Sequence, residues 1–191
     1  MEPWFLVTML GYPEGWAAVS AGMVFTYLLL RHTAWEKPSP HRKAFKSATV
    51  LLTFSLILTF VAVQGLKVSV QMPRPCTPCT SPEISGTPGP PPDNQAGGES
   101  ICNPYCMEDS SFPSGHAATI FSVCTVAILL LRRRGALLLY LLAGLVAWSR
   151  VALGVHTMTD IAAGSMIGLL SALVVWKILP KIPVFGNKPL Q

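Results

Sequence analysis

Five apolar runs, separated by charged or proline- and glycine-rich stretches, divide the chain at about 16–30, 47–65, 114–131, 135–151 and 156–176. A helix needs about 20 apolar residues to cross hydrocarbon, with a working range of about 17–25. The third run reaches that length only if it starts near Ser114, and the fourth only if it continues through Arg150. The fifth fits best if it begins near His156. The first is short unless its flanks join it. This pattern predicts an all-α integral membrane bundle of about five transmembrane helices, folded as one domain over residues 1–191. Residues 4–12 are too short to span and are expected to lie in the membrane interface. No basic region precedes the first apolar stretch, so it does not fit a cleaved signal peptide.

Residues 67–113 form the only long polar connection. Its centre reads as turns and extended chain, and Pro90, Pro91 and Pro92 exclude a helix there. Cys76, Cys79, Cys102 and Cys106 bracket that segment. In an oxidising compartment they suggest two disulfides, for which a nested pairing is Cys76–Cys106 with Cys79–Cys102. The paired spacing also fits a tetrahedral zinc site. A disulfide staple would hold Arg74 near His116 across the insert, or would simply stabilise an exposed loop. Cys124 lies inside the third run, where it reads as a small buried apolar residue.

Charge sets the orientation. The chain is 51% hydrophobic and 12% charged, with a formal net charge of +5. Its basic residues flank apolar runs and form no stripe with interleaved aromatics, which excludes nucleic acid as a partner. Arg31, Lys37, Arg42, Lys43 and Lys46 follow the first run; Arg132, Arg133 and Arg134 follow the third; Lys177, Lys181 and Lys188 follow the fifth. Five alternating spans put all of these on one side, which should be cytoplasmic. Only Lys67, Arg74 and Arg150 fall on the other side. The chain is therefore expected in the plasma membrane with its N-terminus outside and its C-terminus inside.

Those three cations belong to three polar blocks: Lys67-x6-Arg74-Pro75, Pro113-Ser114-Gly115-His116, and Ser149-Arg150-x5-His156-x3-Asp160. Span parity puts all three blocks on the extracytoplasmic face. Charged groups beside a membrane are costly unless they pair with one another or with a charged ligand. Arg74, flanked by prolines, can hold phosphate oxygens bidentately while Lys67 acts as a point charge; interfacial snorkelling is the plainer alternative. Ser114 suits an N-cap and Gly115 exposes N–H groups at a helix start, which together make an anion site. In that first turn His116 can protonate a leaving oxygen, although a capped helix carrying an interfacial histidine would look the same. His156 and Asp160, four apart, are expected on one helix face. There the carboxylate would orient the ring and leave the other nitrogen free to attack. The alternative is a buried polar pair between helices.

Taken together, the blocks resemble the signature of the type 2 phosphatidic acid phosphatase superfamily: K-x6-RP, PSGH and SR-x5-H-x3-D, matched at every position. The resemblance covers about Lys67 to Asp160, and the cysteine-bearing insert and N-terminal stretch are not part of it. It implies a membrane phosphatase of a lipid phosphate or diphosphate, working without metal or other cofactor. In that reading His156 is the nucleophile that becomes phosphohistidine, Asp160 orients it and His116 is the general acid. Lys67, Arg74, Ser114, Gly115 and Arg150 hold the phosphate oxygens. An isoprenyl diphosphate, phosphatidylglycerophosphate or phosphatidate would be the substrate. Two other classes compete: a lipid phosphotransferase, and a non-enzymatic lipid- or anion-binding or transport protein. The sequence assigns neither the lipid nor the oligomeric state.

Overall fold

The computed structural model describes residues 3–32, 40–76, 103, 105–131 and 134–179. Among these, every regular element is helical: α1 (Pro3–Met9), α2 (Pro13–His32), α3 (Pro40–Val70), α4 (Gly115–Leu131), a 3-10 helix (Arg134–Leu138), α5 (Leu139–Ala152) and α6 (Met158–Ile178). Cys79 and Cys102, and with them the inner disulfide of the nested pairing, lie outside the described residues.

Proline opens α1, α2 and α3. Its missing N–H has no helical partner at that position, and its fixed φ suits the first turn. The sequence-based bounds need three corrections. The second run continues as helix to Val70, so Lys67 lies in the last turn of α3 rather than beyond it. The fourth run starts as a 3-10 helix before α5. The fifth starts at Met158 because Thr157 caps it, which leaves His156 outside the helix. The expected shared helix face for His156 and Asp160 is therefore wrong.

Helix α4 is the hub, packed against α6, α3 and α5. Most of its residues from Ala117 to Val126 are buried. Between lipid-embedded helices the surrounding tails are as apolar as leucine, so close packing has to supply the attraction. Gly164 and Gly168, one turn apart on α6, supply it. A methyl group at either would overlap the carbonyl oxygen of Ser114 or Ala118 in α4 and the turn before it. Farther along, Leu51 and Leu52 of α3, Val123 and Val126 of α4, and Ala172 and Val175 of α6 form one apolar cluster.

Large apolar side chains face outward at helical spacing: Phe54, Ile57 and Phe60 on α3, Leu141, Leu145 and Trp148 on α5, and Met166, Leu170 and Val174 on α6. Such a continuous apolar exterior marks a surface that meets lipid. Among the described residues, three helical segments are long and apolar enough to cross a membrane: Ala44–Val70, Gly135–Ala152 and Met158–Ile178. Helix α4, at 17 residues, is shorter and sits at the lower limit for crossing. The protein is thus an all-helical membrane bundle, with three clear spans and the shorter apolar helix α4 among the described residues. Helix α1 packs on α5 with Thr8 buried, so the 4–12 stretch is attached to the bundle.

Candidate active site

All three polar blocks meet at one end of the bundle. After α3, Gln71 adopts a positive φ of 45° and the chain leaves the helix in extended form. The Met72 N–H donates to Ser110 Oγ at 3.0 Å, and the Ser111 N–H donates to the Met72 carbonyl at 2.8 Å. A Cys76–Cys106 disulfide, with its Cα atoms 6.0 Å apart, closes the same pair of segments. This is the outer pairing of the nested arrangement. It removes two of the four thiolates on which the zinc alternative depended.

Held in this way, Arg74 crosses to the third block. Its Nη1 donates to the Val155 carbonyl at 3.1 Å and lies 3.4 Å from His156 Nε2. Its Nε and Nη2 donate to Asp109, which also forms an ion pair with Lys67. Lys67 donates in addition to the Ser110 carbonyl at 2.9 Å. Burial alone would raise the Asp109 carboxyl, but hydrogen bonds from Lys67 and Arg74 outweigh it and hold the group below the usual range.

The third block is built by two helix ends. At the end of α5, Gly154 takes a φ of 70°, a left-handed turn that glycine adopts without steric cost. Its N–H donates to Val151 O, and Val155 N–H donates to Arg150 O at 3.2 Å. The turn delivers His156 to the start of α6. There Thr157 and Asp160 form a capping box: Asp160 Oδ2 accepts from Thr157 N–H at 2.8 Å, and Thr157 Oγ1 accepts from Asp160 N–H at 3.3 Å. The same Oδ2 lies 3.5 Å from His156 Nδ1, with both side chains almost fully buried. One carboxylate oxygen thus caps the helix and faces the imidazole. Burial, with Arg74 and Arg150 nearby, pushes the His156 imidazole down to about 4 against the opposing pull of Asp160. At neutral pH the ring is uncharged, as a nucleophile must be.

The second block docks onto the third through the Ser114 N–H, which donates to the Asp160 carbonyl at 3.0 Å. Ser114 is fully buried, and its hydroxyl has no hydrogen-bond partner among the described residues. It does not cap α4 from its side chain, contrary to expectation. A buried hydroxyl left unpaired is costly and is satisfied if a phosphate oxygen enters. A side chain at Gly115 would meet Pro13 and Val63 only at ordinary contact distance. His116 lies within electrostatic reach of Arg150, His156, Arg74 and Lys67, and its ring centroid is 5.9 Å from that of Tyr12.

Arg150 is buried in the last turn of α5. Its Nη1 donates to Thr8 Oγ1 at 3.0 Å, while its Nε has no partner among the described residues. Thr8 and Asp109 were not anticipated from the sequence. A cavity of about 720 Å³ lies beside Lys67, Arg74 and Asp109, and neither histidine lines it. Among the described residues no cluster of three or more His, Cys, Asp or Glu side chains could hold a metal ion.

The family model described as the PAP2 superfamily matches residues 48–183. Over 74 residues the chain is 42% identical to the protein named Putative undecaprenyl-diphosphatase YbjG of Escherichia coli (strain K12), which is 37% of each chain. It is 43% identical over 74 residues to the Bacitracin transport permease protein BcrC of Bacillus licheniformis, 39% of this chain and 36% of that one. The chain thus matches little more than a third of the length of these relatives. The fold resembles the transmembrane PAP2-type phosphatidylglycerolphosphate phosphatase of Bacillus subtilis, with a TM-score of 0.57 and 21% identity over 97% of this chain and 81% of that one.

Proposed function

Because this chain belongs to the PAP2 superfamily, we propose that it is an integral membrane phosphatase of a lipid phosphate or diphosphate, working through a phosphohistidine on His156 and without a metal. The observation that carries this is the two-sided setting of the His156 ring. Its Nδ1 side faces the buried Asp160 carboxylate at 3.5 Å, and its Nε2 faces the Arg74 guanidinium at 3.4 Å. One nitrogen is oriented by an anion and the other opens onto an anion-binding group, which is where phosphorus has to arrive.

In the first step Nε2 attacks phosphorus and the bond to the lipid oxygen breaks. His116 gives that oxygen its proton. The positive charge that develops on His156 is stabilised by Asp160. Lys67, Arg74, Arg150, the Ser114 hydroxyl and the N–H groups opening α4 hold the phosphoryl oxygens as charge builds. In the second step water attacks phosphorus and His116 takes its proton. The P–N bond then breaks, releasing orthophosphate and restoring both histidines.

An isoprenyl diphosphate is the favoured substrate, with phosphatidylglycerophosphate and phosphatidate as rivals. The curated relative named for undecaprenyl diphosphate supports this choice. An extracytoplasmic site, with the N-terminus outside, is favoured by the Lys and Arg asymmetry and by a disulfide beside the clamp. The test is orthophosphate release from a panel of these lipids by the purified protein, with and without excess chelator. Release that His156→Ala abolishes and chelator leaves intact is expected. Full release by His156→Ala would sink the proposed mechanism, and loss restored by added metal would sink its metal independence.

A further inference from the structure

Asp109 sits against the phosphate clamp, yet the reaction above gives it no task. Its carboxylate forms ion pairs with both Lys67 and Arg74, the two cations of the first block. Through Arg74 it also fixes a guanidinium 3.4 Å from the attacking nitrogen of His156. The anion on these cations is therefore the protein's own.

Asp109 is tethered in this position. The Cys76–Cys106 disulfide and the bonds between Met72 and Ser110–Ser111 hold its segment beside that of Arg74. Yet the side chain is open to solvent. It is 47% exposed, against 13% for Lys67 and 5% for Arg74, and it borders the 720 Å³ cavity that the two cations also line. The anion is at the mouth and the cations are behind it.

We propose that Asp109 is an internal competitor for the phosphate clamp, occupying Lys67 and Arg74 when the site is empty, yielding to a lipid phosphate, and returning to displace orthophosphate after hydrolysis. This rests on the phosphatase function proposed above. Competition weakens every phosphate by the same factor, namely the fraction of molecules in which the clamp is free. A lipid substrate keeps the contribution of its tail in the bilayer. Orthophosphate has only the clamp, so the burden falls on the product. The ratio of the two affinities is unchanged, but orthophosphate loses the only contact that retains it, whereas the lipid keeps its anchor in the bilayer.

The test is calorimetric titration of the full-length protein in detergent with inorganic phosphate, for the parent, Asp109→Asn and Asp109→Glu. Charge-assisted pairing with two cations implies that Asp109→Asn binds phosphate tighter by roughly fivefold or more. Asp109→Glu, which keeps the anion, should stay within about twofold of the parent on the same reasoning. Unchanged or weaker binding by Asp109→Asn, or equal tightening by Asp109→Glu, overturns the proposal. Because binding is read without turnover, the two hypotheses separate. Tighter phosphate binding by a protein that hydrolyses no lipid would leave the competitor standing and remove the phosphatase.

Discussion

Replacing Asp160 by Asn isolates the charge that faces the nucleophile. The amide oxygen can still accept from the Thr157 N–H, so most of the capping box that starts α6 survives. What disappears is an anion 3.5 Å from His156 Nδ1, in a pair almost wholly shielded from solvent. Opposite unit charges at that separation interact by about 5 kcal/mol at an effective dielectric of about 20. That interaction is absent while His156 is neutral and appears as the ring becomes cationic during attack. It therefore acts on the transition state rather than on binding, and kcat should fall by about three orders of magnitude. KM should change by less than about threefold on the same argument. The assay is orthophosphate release from a lipid diphosphate in mixed micelles, with thermal melting as a control for fold. A kcat within about tenfold of the parent, in a variant that melts normally, would show that Asp160 serves only as a helix cap.

Three further outcomes follow from other contacts. Since burial and neighbouring arginines push His156 to about 4, and its neutral form attacks, kcat/KM should rise with pH through about 4 rather than near the ordinary histidine value. This is to be measured after correction for ionisation of the substrate; a limb at the ordinary value would contradict the site's electrostatics. Gly164→Ala drives a methyl group into the Ser114 carbonyl. It should lower stability by about 1–3 kcal/mol and reduce kcat/KM, whereas Gly22→Ala, whose methyl meets nothing within 4 Å, should melt like the parent. Thr8→Val removes the oxygen that accepts from buried Arg150. It leaves a buried charged donor unpaired and should lower the protein's stability by about 1–3 kcal/mol, read as a lower melting temperature that Thr8→Ser restores.

The parts of the site that were legible in the sequence are those carried by local spacing. His116, His156, Asp160 and the three cations stand in short blocks at the ends of apolar runs, and alternating spans suffice to bring those blocks to one end. The apolar run misplaces the start of α6 at His156; the helix begins at Met158, where the spacing of Thr157-Met158-Thr159-Asp160 lets Thr157 and Asp160 form a capping box. Two contacts left no such trace. Thr8 and Arg150 are 142 residues apart, and a lone threonine in a short apolar stretch has no pattern that names its partner. Asp109 lies 42 residues from Lys67, beside Glu108 in a loop without periodicity. It reaches the clamp only because the chain folds back at Cys76 and Cys106. Nor does local spacing reveal that the Ser114 N–H donates to the Asp160 carbonyl, distant in the sequence, where α6 packs against the start of α4.

The phosphohistidine is the step on which the chemistry depends. The parent protein should be mixed with a lipid diphosphate, quenched in alkali within a single turnover, and mapped by mass spectrometry. A phosphoryl adduct on His156 should form before orthophosphate appears, decay as orthophosphate is released, and be missing in His156→Ala. Orthophosphate released at the full rate with no adduct on His156 at any time would contradict covalent catalysis at this site.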